Sequence, residues 1–112
     1  MAIYHYLVLT RAVVGQAQPF ADWYDHQHIP DCLRVAGVTG ARRFTILNQV
    51  FSPHEDAPVG SPGFDSLAIY EFETDDPVAL AFHLQSIAGT EAMPISPAFD
   101  RTATTKFLAI DA

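Results

Sequence analysis

At 112 residues, with 49% hydrophobic and 17% charged residues, the chain has the size and composition of one globular domain, 1–112, with a real hydrophobic core. Its formal net charge of −7 excludes nucleic acid and an anionic membrane surface as partners, because both need clustered Lys and Arg. A single cysteine excludes an internal disulfide framework, no apolar run approaches the ~20 residues that cross a bilayer, and MAIYHYLVLTR lacks the features of a signal peptide; a cytoplasmic protein is expected.

Residues 3–11 (IYHYLVLTR) are rich in aromatic and branched side chains and read as a strand. Alternation puts His5, Leu7 and Leu9 on one face and Tyr4, Tyr6 and Val8 on the other, so both faces are mostly apolar. After a loop at residues 15–18, Pro19 sits in the first turn of a helix whose Phe20, Trp23, Tyr24 and Gln27 recur at helical spacing. Ile29 precedes Pro30, which disfavours helical geometry there and predicts a kink or a break. A short second segment over residues 31–35 stops at Gly37, a residue suited to a left-handed cap.

Residues 38–49 read as a second strand, with Val38, Gly40, Arg42, Phe44 and Ile46 on one side and Thr39, Ala41, Arg43, Thr45 and Leu47 on the other. Residues 52–63 (SPHEDAPVGSPG) carry three prolines and no periodicity and form a long loop. The third strand is 66–74, with Ala68, Tyr70 and Phe72 opposite Leu67, Ile69 and Glu71. Asp76 caps a second helix that has Pro77 in its first turn and stops at Gly89. An irregular stretch follows, with room for one helical turn, and residues 102–110 (TATTKFLAI) make the closing strand.

The order strand–helix–strand, strand–helix–strand is the split βαβ arrangement of a ferredoxin-like α+β domain, in which both helices cover one face of a four-stranded antiparallel sheet. The other face is apolar too. Pairing two such faces across a two-fold axis gives a homodimer, a dimeric α+β barrel.

The stretch FADWYDHQHIPDCLRVAGVTGARRF resembles the helix-and-second-strand signature of the dimeric α+β barrel proteins, in particular the EthD-like group. Members show a W-Y-x-x-x-H-I-P-D segment, then a Gly, then an R-R-F-like strand. Here those positions are Trp23, Tyr24, His28, Ile29, Pro30, Asp31, Gly37, Arg42, Arg43 and Phe44. The resemblance implies a pocket that the superfamily reuses for lactone isomerisation, cofactor-independent oxygenation, haem chemistry and degradation of organic compounds. Haem-degrading relatives look for an Asn on the first strand and a Trp near the third. This chain has neither, and only His83 on the second helix matches.

Tyr24, His28 and Asp31 fall at i, i+4 and i+7, near one helix face. A carboxylate fixes a histidine's tautomer and raises its basicity, and a nearby tyrosine can donate a proton. His28 is therefore expected as the acid–base residue, Asp31 as its orienting partner and Tyr24 as a donor. The competing structural reading is that His28 and Asp31 only satisfy each other at the kink. Trp23 and Phe20 are expected as pocket walls, with Tyr6, Tyr70, His83 and Arg43 as further substrate-binding groups. His26 and His28 point about 200° apart on a helix and cannot share a metal. Neither a metal nor another cofactor is expected. Cys32 has Asp31 beside it, which raises a thiol's pKa and argues against a nucleophile. The expected function is a small cofactor-independent enzyme, an isomerase or oxygenase, acting on a hydrophobic aromatic or lactone-like metabolite. The alternatives are a non-catalytic binder or accessory protein of a degradation pathway, and a dimerisation module without ligand.

Overall fold

A computed structural model describes residues 2–47 and 63–112. The expected loop at 52–63 lies outside the described residues but for Gly63, as do positions 48 and 49 of the second strand. Four strands, β1 (Ile3–Ala12), β2 (Val38–Thr45), β3 (Ser66–Glu73) and β4 (Phe99–Ala109), form one antiparallel sheet in the order β2-β3-β1-β4. Between β1 and β2 runs a helical segment in three pieces: α1 (Ala17–Trp23), a π-turn (Tyr24–His28) and α2 (Ile29–Leu33). The longer helix α3 (Pro77–Ile87) joins β3 to β4. This is the ferredoxin-like α+β arrangement.

The helices pack on one face of the sheet. Tyr6, Val8 and Ala12 of β1 and Ala68, Tyr70 and Phe72 of β3 are buried beneath Phe20, Tyr24, Cys32, Leu80, Ala81 and Leu84. Punctuation in the sequence works as expected around α3 and before β2. The Asp76 carboxylate accepts the Ala79 amide at 3.0 Å, satisfying one of the free N–H groups of the first turn. Gly37 ends the first helical segment at φ +97°, with Leu80 Cδ2 2.9 Å from where a Cβ would stand.

Three expectations are corrected. The chain does not break at Pro30: Ile29 is helical (φ −59°, ψ −50°), and its amide bonds the Tyr24 carbonyl five residues back. The wider π-turn lets a helix run on into a proline that has no N–H to donate. In β2, the register shifts between Val38 and Gly40, so Val38 shares the helix-covered side with Ala41 and Arg43 instead of with Arg42 and Phe44. β4 begins earlier than expected, because pairing moves five residues along β4 (Phe99 to Thr104) while it moves two along β1 (Ala12 to Thr10). The residues between α3 and β4 form turns, with Met93 buried among the core side chains.

No described element covers the opposite sheet face. Paired residues cross it in two rows, Phe44–Leu67–Leu9–Thr105 and Arg42–Ile69–Leu7–Phe107. Phe107 is 52% exposed there. No helix among the described residues is long and apolar enough to cross a membrane.

Candidate functional site

Between the helices and the sheet lies a cavity of about 350 Å³. Its walls come from the π-turn, from the helix-covered side of β1, β3 and β4, and from the second half of α3. Tyr24, His28 and Cys32 follow at intervals of four and all line it. In the wider π-turn a spacing of four stays on one face, whereas Asp31, three residues after His28, turns to the side.

That rotation decides Asp31. Its carboxylate is buried, accepting from Gln27 Nε2 at 2.7 Å and Arg34 at 2.5 Å, and it lines a separate groove. The expected hydrogen bond to His28 is not formed; Asp31 acts on the imidazole only through space. The His28 ring stacks on Trp23 (centroids 4.8 Å, 30°) and meets Tyr24 edge-on at 5.2 Å. Its Nε2 is 3.7 Å from Cys32 Sγ, while its Nδ1 is buried with no hydrogen-bond partner among the described residues. Desolvation pushes the His28 pKa down to about 4, with Asp31 opposing and Lys106 reinforcing the shift. The ring is therefore neutral at pH 7, able to accept a proton or a hydrogen bond.

The hydroxyls around it stay protonated. Burial raises Tyr24 to about 12 and Tyr70 well above the ordinary phenol value, and Tyr70 donates to Tyr24 at 3.4 Å. Burial likewise pushes the Cys32 thiol up to about 11, so it is not a thiolate at neutral pH. Trp23 donates its indole N–H to the Pro94 carbonyl at 3.1 Å and stacks on Phe99 (5.8 Å, 23°), making a flat aromatic wall.

Of the residues singled out in the sequence, Tyr6, Trp23, Tyr24, His28 and Tyr70 meet in this cavity. Phe20 does not: at 2% exposure it packs behind the wall against Tyr24 and Phe99. Arg43 holds Asp25 through two hydrogen bonds (2.6 and 2.9 Å) and lies over the Tyr24 ring, supporting the π-turn from outside. His83 is exposed and borders the groove that holds Asp31, because Leu80, Ala81 and Leu84 form the inward stripe of α3. Thr10, Gln85, Arg101, Thr104 and Lys106 line the cavity and went unnoticed in the sequence. One signal was legible: strand alternation places Thr104 and Lys106 on one face of the closing strand. Arg101 was not legible, since its position follows the irregular pairing of β4. Among the described residues no group of three His, Cys, Asp or Glu side chains could hold a metal ion.

No family model matches the sequence, and no curated protein does. Solved structures do match in fold. An ethyl tert-butyl ether D (EthD) family protein from Bacillus halodurans superposes with a TM-score of 0.55 at 15% identity, over 98% of this chain and 99% of its own. An EthD-like protein from Ralstonia eutropha superposes with a TM-score of 0.61 at 12% identity, over 98% of this chain and 92% of its own. The likeness is one of fold, and it runs the length of the chain.

Proposed function

We propose that this EthD-like fold serves as a homodimeric, cofactor-independent enzyme. It binds a hydrophobic, aromatic or lactone-like metabolite between helices and sheet, with His28 as the acid–base residue. The observation that carries the reading is the buried His28 Nδ1, without a hydrogen-bond partner among the described residues, in the wall of a ligand-sized cavity. A neutral imidazole in the cavity wall can take a proton from a bound molecule, and the protonated Tyr24 and Tyr70 hydroxyls can donate to an oxygen that gains charge. Trp23, stacked on Phe99, offers the flat surface that a ring needs.

Turnover of a panel of aromatic, lactone and ether compounds is the test; small ethers are included because the Bacillus halodurans neighbour belongs to the ethyl tert-butyl ether D family. His28→Ala should lower the rate on any substrate found by about 10²–10⁴-fold while the circular dichroism spectrum is kept. A variant that turns the substrate over normally would end this assignment.

A second reading is a binder without chemistry, and one observation favours it. Among the described residues no carboxylate is hydrogen-bonded to His28 to fix its tautomer, Asp31 being engaged by Gln27 and Arg34. Saturable binding of panel members with no turnover would select this second reading.

A further inference from the structure

The charges around the cavity run against those of the chain. The sequence holds thirteen acidic and six basic residues, yet among the described residues no Asp or Glu lines the cavity, while Arg101 and Lys106 do. Three of the other basic residues have carboxylate partners: Arg11 with Asp100, Arg34 with Asp31 and Arg43 with Asp25. Arg42 lies over Phe44 on the open sheet face. Lys106, the one lysine of the chain, pairs with no carboxylate among the described residues. Lys106 stands exposed on the edge strand β4, but it lies opposite Val8, on the helix-covered side, and borders the cavity.

We propose that the molecule held in this cavity is a monoanionic organic acid. Its carboxylate is gripped at the mouth by Lys106, helped by Arg101, and its apolar body lies against the Trp23–Phe99 wall toward His28. The inference rests on the cavity being a ligand site and adds the charge class of the ligand. Size limits the body to one or two rings, since 350 Å³ is near the lower end for small-molecule pockets. A dianionic phosphate fits less well. The cavity meets α3 along its second half, at Leu84, Gln85 and Ala88, where the helix dipole is negative. Arg101 lies against Gly89 at that same helix end and partly serves to offset it, which leaves Lys106 as the principal anchor. Desolvation holds the Lys106 pKa below its ordinary value, so an incoming carboxylate supplies the counter-charge that the ammonium lacks.

Trp23, the only tryptophan and itself a cavity wall, is the reporter. The 112-residue protein is titrated with 3-phenylpropionate and 4-phenylbutyrate, and with their amides, following Trp23 emission. Each acid should bind at least about tenfold tighter than its amide at low salt. Lys106→Met should bring that ratio below about threefold, and Arg42→Gln should leave it intact. Should Lys106→Met fold poorly, the salt response of the wild-type protein decides: the ratio must shrink as added salt screens the mouth. Acids and amides binding equally, or a ratio that survives both Lys106→Met and high salt, would overturn the anion assignment but leave the cavity a ligand site. Silence of both series would remove the ligand site itself, and this inference with it.

Discussion

His28 concentrates the physics of the site in one side chain. A free histidine titrates near ~6.5, and burial lowers His28 to about 4. Between those values the unfolded chain binds the proton and the folded chain does not, so the stability present above the unfolded pKa is lost as pH falls through the folded one. The loss amounts to at most about 3 kcal/mol. Urea unfolding at pH 7 and pH 4.5 checks this: the wild type should lose more stability on acidification than His28→Asn, and parallel losses would refute it. Arg43 makes a second case. Its side chain is only 11% exposed and its hydrogen bonds with Asp25 hold that carboxylate below the usual range. Arg43→Gln should cost about 1–2 kcal/mol in the same assay, because it strands Asp25 and uncovers the Tyr24 ring. The sequence made His28 and Tyr24 legible through their spacing and chemistry. It misled on Asp31, because the angular argument assumed α-helical geometry where the chain takes a π-turn.

At the scale of elements, glycine, proline and aspartate did most of the signalling. Asp76, Pro77 and Gly89 bracket α3 as their chemistry demands, and Gly37 closes the first helical segment. Gly37→Ala should lower stability by about 1–2 kcal/mol, because a left-handed backbone disfavours a Cβ and Leu80 must move away from it. An unchanged thermal midpoint would show that the turn relaxes freely. What stayed hidden were departures from regular pairing: the register shift in β2, the long step in β4 and the π-turn. Each depends on contacts with a neighbouring element rather than on local composition, so no periodicity within its own segment announces it. The β4 step also decided which cation reached the cavity, which is why Arg101 was missed.

For the whole molecule, the open sheet face sets the question. Its rows of Leu67, Leu9, Ile69, Leu7 and Phe107 are apolar and no described element covers them. A second copy of the chain meeting this face would bury it, and sedimentation should find the protein at dimer mass. Phe107 is already half exposed in the protomer, so Phe107→Glu should leave the fold intact and yield monomers. A wild-type protein that sediments as a monomer at micromolar concentration would rule the dimer out.

Cys32 carries a last consequence. It is 3% exposed, in the cavity lining beside His28, and burial keeps it in the unreactive thiol form. The thiol ionises readily, and then reacts with an alkylating reagent, only when this part of the protein opens to water. Its labelling half-life therefore times the breathing of the helical layer over the sheet, and whatever occupies the hollow should slow that clock.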